Sequence, residues 1–264
     1  MNLIYACVFH QQSYIRLLKL LVDSIRINTE TTHILVVTSP AFRPIIESEL
    51  SGTPLRFYVL DGMKTMLDAA SSRLHIFEYD RISDYEKILY LDTDILVLGD
   101  IQTIFNLEIV GDKLYAVEEG TIGDEWGSWG GAFFDFSKFH KETPAFSTGI
   151  LYFMNSPGIH TLFQNTLAHV RSYKYTLPCL EQPFLVYNAF IEDKYDNQLM
   201  MPYAKNRPIA LEPGVILYHF AGHPGNYSSK YDRMMLFMNP EYVPVTSPAT
   251  VPPLATYVWS SKLR

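Results

Sequence analysis

Apolar residues fall along this chain in short runs broken by polar punctuation, and the runs alternate between two periods. Residues 3–9 are almost continuously apolar and are followed by His10-Gln11-Gln12-Ser13. Ile15, Leu18, Leu21, Val22 and Ile25 then recur at the spacing of one helix face. Residues 33–38 repeat the strand signal and close on Ser39-Pro40, residues 44–50 predict a helix, and residues 55–60 predict a third strand. Strands alternating with helices predict βαβ units, hence an α/β fold with a mostly parallel, Rossmann-like sheet flanked by helices.

Further on, residues 71–86 predict a helix, and residues 87–91 an apolar strand that stops abruptly at Asp92-Thr93-Asp94. Residues 95–98 are apolar, and a short helix is expected around 101–105. Residues 114–117 and 149–154 predict two more strands. Between them residues 118–143 are rich in Gly and aromatics and have no periodicity, which predicts a long surface excursion. Residues 160–170 and 182–190 predict helices, 215–220 a last strand and 227–238 a last helix. Prolines at 240, 244, 248, 252 and 253 exclude regular structure beyond it. The expected organisation is one domain over residues 1–238 and an extended, Pro-rich tail over 239–264.

Composition adds limits. The formal charge of −7 offers no concentrated positive field, which argues against nucleic acid or an anionic membrane as partner. No apolar run reaches the ~18 residues of a membrane span, and the first strand pattern begins too early for a signal peptide. A cytoplasmic location is therefore expected. With only Cys7 and Cys179 present, Cys7 reads as a buried structural thiol in its strand.

Candidate chemistry lies at the ends of two strands. In K-I-L-Y-L-D-T-D-I-L-V-L-G-D the acids follow the carboxyl end of an apolar strand, where open α/β sheets bind ligands. Two carboxylates two residues apart on an extended chain would face the same side and share one hard cation outside the core. An acidic turn between two strands is the alternative. In I-L-Y-H-F-A-G-H-P-G-N-Y-S-S-K, His219 ends another apolar strand. Its imidazole would complete an Asp92/Asp94 site for Mn²⁺, which accepts nitrogen more readily than Mg²⁺ does. Alone, it would be an ordinary core histidine. Gly222 and Gly225 would let backbone approach phosphates, and Lys230 supplies a compact positive charge.

Taken together, S-R-L-H-I-F…Y-E-K-I-L-Y-L-D-T-D-I-L-V-L-G-D-I and the late H-F-A-G segment resemble the glycogenin-like retaining glycosyltransferases, glycosyltransferase family 8. The resemblance covers roughly residues 3–238. It implies a GT-A-type nucleotide-diphospho-sugar transferase fold and a site for Mn²⁺ (or Mg²⁺) made by Asp92, Asp94 and His219, with Thr93 between the acids. The donor implied is a UDP-sugar carrying a hexose such as glucose or galactose, and the acceptor a carbohydrate, glycan or protein. Tyr14 matches the family Tyr beside the uracil, with residues 5–9, Ala6 among them, forming the rest of that pocket. Tyr14 would equally serve as an aromatic packing on the core at a helix start.

Arg73 matches a basic residue near the donor's sugar and phosphates. F-S-T-G-I-L-Y-F resembles the family's F-N-x-G-V strand, with Ser147 in place of Asn. L-E-Q-P-F resembles its D-Q-x motif, with Glu181 and Gln182 as the matched catalytic pair, although Glu181 would also suit the first turn of a helix. The late loop is longer than the family's and lacks its Trp. Retention would follow from front-face attack or from double displacement through Glu181, of which front-face attack is the expected route. The competing functions are a nucleotidyltransferase, for which a Gly-rich loop after the first strand is missing, and a non-catalytic sugar-binding module on the same fold. Trp126 and Trp129, within residues 118–143, are the expected acceptor-recognition aromatics.

Overall fold

A computed structural model describes residues 1–29, 33–125, 127–174, 177–222 and 229–243. The chain divides into two compact units, Met1–Gly222 and His223–Arg264.

In the first unit a seven-stranded sheet forms from β1 (Asn2–Val8), β2 (His33–Thr38), β3 (Leu55–Val59), β4 (Lys87–Leu91), β6 (Leu114–Thr121), β7 (Pro144–Met154) and β8 (Tyr195–Asp196). Its order is β3-β2-β1-β4-β7-β6-β8. The first four strands run parallel, whereas β7 lies antiparallel to both β4 and β6. The parallel half is apolar on both faces because both are covered. Ile4, Ala6 and Val8 pack with Ile15, Leu18 and Leu21 of α1 (Ser13–Asn28). Leu3 and Tyr5 face the other way, toward Ile159, Leu162 and Phe163 of α5 (Pro157–Ser172) and Leu185 of α6 (Gln182–Ile191).

Two short helices also match expectation, α2 (Arg43–Glu49) and α4 (Gln102–Phe105). A second sheet was not foreseen. It has three strands of three residues each, in the order β5 (Ile95–Val97), β10 (Leu217–His219), β9 (Ala204–Asn206).

The helix expected over 71–86 is shorter and begins earlier. A capping box between Thr65 and Asp68 starts α3 (Met66–Ser71), and the chain then winds as a 3-10 helix over Ser72–Glu78. Side chains intercept the carbonyls that an α-helix would use. The Ser72 hydroxyl donates to Ala69 O (2.6 Å), the Arg73 Nε–H to Ala70 O (3.1 Å), and the Tyr5 hydroxyl to Arg73 O (2.9 Å). Five consecutive residues, Ser72 to Ile76, are buried, which a one-faced α-helix would not allow.

The expected surface excursion is instead partly folded in. Phe133 makes ring contacts with His169, Tyr173, Phe184 and Tyr187, and Phe134 does so with Phe139, Tyr187 and Phe190. Its aromatics serve the core cluster that α5 and α6 share. Asp135, Ser137, Lys138 and residues 140–142 stay exposed, so the excursion is folded in only in part.

The second unit contains α7 (Lys230–Met238), whose N-terminus is capped by Ser229 accepting from the Asp232 N–H. Among the described residues no helix is long and apolar enough to cross a membrane.

Candidate active site

The acids stand where β4 leaves the large sheet. Asp92-Thr93-Asp94 is a turn, not the extended segment expected from sequence, and it carries the chain from β4 into β5 of the small sheet. Two backbone bonds fix it. The Asp92 N–H donates to Gly149 O on β7 (2.8 Å), and the Phe220 N–H donates to Asp94 O (2.9 Å). Antiparallel pairing of β5 with β10 sets His219 opposite Ile95, directly beside Asp94. Asp94 is only 4% exposed, which corrects the expectation that it lies outside the core.

His219 Nε2 lies 3.5 Å from Asp94 Oδ1 and 3.9 Å from Asp92 Oδ2. One ligand atom from each of the three residues lies within 4.8 Å of the others. Burial pushes the His219 imidazole toward its neutral form, but the carboxylates of Asp94 and Asp92 outweigh it and its pKa is raised. Two carboxylates around one buried imidazole carry more negative charge than the ring can balance, which suits a divalent cation. Room for the ring comes from Gly149. A Cβ there would lie 2.2 Å from His219 Cε1.

The turn continues into a second polar cluster. Asp92 Oδ1 accepts from the Tyr90 hydroxyl and lies 3.3 Å from an Arg73 terminal nitrogen. Tyr90 reaches it because residues two apart in β4 share a face. Arg73 is committed on every side. Its Nε lies 3.2 Å from Glu181 Oε1, a terminal nitrogen donates to Thr148 O (2.7 Å), and its plane sits 4.6 Å over the Tyr90 ring. Glu181 is 2% exposed. Burial pushes its carboxyl up, opposed by Arg73.

Gln182 is equally engaged. Its Oε1 accepts from the Thr148 N–H (3.0 Å) and its Nε2 donates to Ser128 O (3.0 Å). The two residues leading into this pair, Cys179 and Leu180, have φ of 58° and 55°. That left-handed conformation is costly for non-glycine residues.

Seven residues are thus joined by direct contacts: Asp92, Asp94, His219, Arg73, Thr148, Glu181 and Gln182. Thr93, Ala6, Tyr14 and Gly222 are not among them. Thr93 is buried within the turn, and Ala6 is buried with its side chain in the α1-side core. Tyr14 is partly buried and packs against that same core. Gly222 has φ of 79°, and Arg207 Nε would lie 3.9 Å from a Cβ there. Gly225 and Trp126 lie outside the described residues. Lys230 is the first residue of α7, in the second unit.

Sequence reasoning missed several members. Tyr90 and Thr148 were visible only as parts of apolar strands, and Asn206, whose Oδ1 lies 2.8 Å from His219 Nδ1, carried no signal at all. Cys7 was read as a core thiol. It is only partly buried, bonds toward Ser72, and feels the charges of Arg73, Asp92 and Glu181. Strand parity with Tyr5, whose hydroxyl holds Arg73, would have revealed this.

Comparisons with known proteins bear on the same residues. The family model described as "Glycosyl transferase family 8" matches residues 28–224. A glycogenin from Komagataella phaffii (strain GS115) is 38% identical over 53 residues, which is 20% of this chain and 12% of that protein's length. The galactosyltransferase LgtC, solved with donor and acceptor sugar analogs, superposes with a TM-score of 0.60 at 17% identity. That match covers 90% of this chain and 95% of LgtC. Mouse xyloside xylosyltransferase 1 superposes with a TM-score of 0.59 at 11% identity, over 85% of this chain and 99% of the other. At these identities the likeness is one of fold, and the fold is of the GT-A glycosyltransferase type.

Proposed function

The chain belongs to glycosyl transferase family 8, and on that premise we propose that it transfers a hexose from a UDP-sugar to a hydroxyl acceptor with retention at the anomeric carbon. The observation that carries the metal-dependent part is the convergence of Asp92, Asp94 and His219 within 4.8 Å at the carboxyl end of β4. Two carboxylates and an imidazole fit Mn²⁺, or Mg²⁺ with less affinity for the nitrogen. When bound, such a cation neutralises the diphosphate as it departs.

The chain's own groups do the rest. Arg73 is anchored by Glu181 and Thr148 and keeps its charge beside Asp92, so its field falls on the donor's phosphate side. Gln182 is oriented through both ends of its amide. Glu181 is buried and paired with Arg73, which disfavours it as a nucleophile and supports front-face attack. In that step the acceptor oxygen bonds to the anomeric carbon as the bond to the diphosphate oxygen breaks, and the acceptor proton passes to the departing phosphate. The late loop, with Gly222, Gly225 and Lys230, is assigned to the diphosphate, and Tyr14 with the end of β1 to the base.

A panel of UDP-sugars, with UDP release as the readout, tests this reading. One donor should release UDP in the presence of Mn²⁺ and stop on chelation. Equal release with and without chelator would refute the metal-dependent mechanism, and no release from any donor would favour a binding module.

A further inference from the structure

Resting on the metal reading above, we propose that Asn206 is a positioning residue that fixes the tautomer and tilt of His219. A carboxylate at neutral pH only accepts hydrogen bonds, and Glu119 Oε2 faces Asn206 Nδ2 at 3.5 Å. The amide's NH₂ end is thereby turned toward Glu119, and its oxygen is left facing His219 Nδ1 at 2.8 Å. An amide oxygen is also only an acceptor, so Nδ1 carries the hydrogen. The lone pair of the neutral ring then sits on Nε2, the nitrogen that faces Asp94 and Asp92.

Backbone geometry reinforces the hold. Parallel pairing of β9 with β10 sets Asn206 opposite His219, and the Arg207 N–H donates to His219 O (2.8 Å). The dipeptide Asn206-Arg207 therefore grips His219 at its carbonyl and at its ring. Arg207 adopts φ of 51° to do so, and its guanidinium lies 2.8 Å from Glu119 Oε1, which holds that side chain in place. The ring also lies close to Gly149, a contact that selects no tautomer. Ligating histidines depend on a partner such as Asn206 to present the correct nitrogen, and losing it weakens metal affinity by about 10- to 100-fold.

The test is calorimetric titration of Mn²⁺ into the full chain, comparing wild type with Asn206→Ala, Asn206→Asp and His219→Ala. The expected result is a loss of affinity of about 10- to 100-fold in Asn206→Ala, recovered largely in Asn206→Asp, whose carboxylate also accepts from Nδ1–H. The metal-free melting temperature should not separate these two variants. If Asn206→Ala binds Mn²⁺ as wild type does while His219→Ala does not, the positioning role is wrong and the metal site stands. If His219→Ala binds as wild type does, the metal reading fails and the inference with it. Should Asn206→Ala not fold, nitrogen-15 shifts of His219 in the metal-free wild type at alkaline pH decide the matter. A ring protonated at Nδ1 supports the proposal, and one protonated at Nε2 overturns it.

Discussion

The four parallel strands and the three-residue strands meet at one turn, and they reach it by different means. β2, β1 and β4 are held by side chains, with apolar residues covered on both faces, while β3 at the edge is half-buried along its length. β5 and β10 are buried too, with Ile95, Val97 and Leu217 in the α1-side core, but at three residues each they take their register from backbone pairing, with Arg207 N–H on His219 O and Phe220 N–H on Asp94 O. The first region supplies rigidity and presents Asp92, whereas the second delivers the imidazole and its amide partner. A site shared this way places its acids by burial and its histidine by register.

Substitutions separate the two contributions. Arg73→Ala strikes the joint and should have the largest effect on stability. It leaves Glu181, which is 2% exposed, as a buried carboxylate without its partner, at a cost of about 3–5 kcal/mol. Denaturant unfolding should show most of that loss recovered when Glu181→Gln is added, and no recovery would mean that the pair is not coupled. Leu89→Ala strikes the apolar core beneath β4 and none of the polar contacts of the site. Its side chain is fully buried, so unfolding should become easier by about 2–5 kcal/mol, while Mn²⁺ affinity of the folded protein stays as in wild type. A matched drop in affinity would show that core packing also sets the ring's position.

Gly149→Ala strikes the surface where the two regions touch. Its Cβ would come 2.2 Å from the His219 ring, and overpacking of this kind costs about 1–3 kcal/mol. Here metal affinity should fall together with stability, the reverse of the Leu89 result. Gly111→Ala, with nothing within 4 Å of its Cβ, is the control and should change neither. The smallest effect concerns the thiols. Burial pushes Cys7 up to about 12 and raises Cys179 as well, so both are protonated at neutral pH and react slowly. Cys179 is the exposed one, and alkylation followed by mass spectrometry should find it modified first, with Cys7 labelled only on unfolding.

How much of this was legible follows the same division. The strands of the parallel half, the helices α1, α5 and α6, and the two acids after β4 could be read from residue pattern, because burial on both faces writes a continuous apolar run. His219 was legible as the end of such a run. The apolar segments 95–98 and 215–220 could also be read, but their pairing into a small sheet with β9 could not, since it joins residues far apart in sequence, Ile95 with His219 and His219 with Asn206. The same reason hid Asn206. Gly149 could be read only as part of a strand, because the space its missing Cβ leaves is filled by a distant residue. Residues 118–143 misled for a different reason: Phe133 and Phe134 are held against α5 and α6 by ring contacts, which leave no period in the sequence.

The assignment of the metal ligands is tested most directly by electron paramagnetic resonance of Mn²⁺ titrated into the full chain with UDP present, comparing wild type with Asp94→Ala. Wild type should deplete the signal of free aqueous Mn²⁺ until one ion is bound per chain. Asp94→Ala, checked to be folded by circular dichroism, should leave that signal undiminished at the same concentrations. Equal depletion by both proteins would contradict the assignment of Asp92, Asp94 and His219 as the metal site.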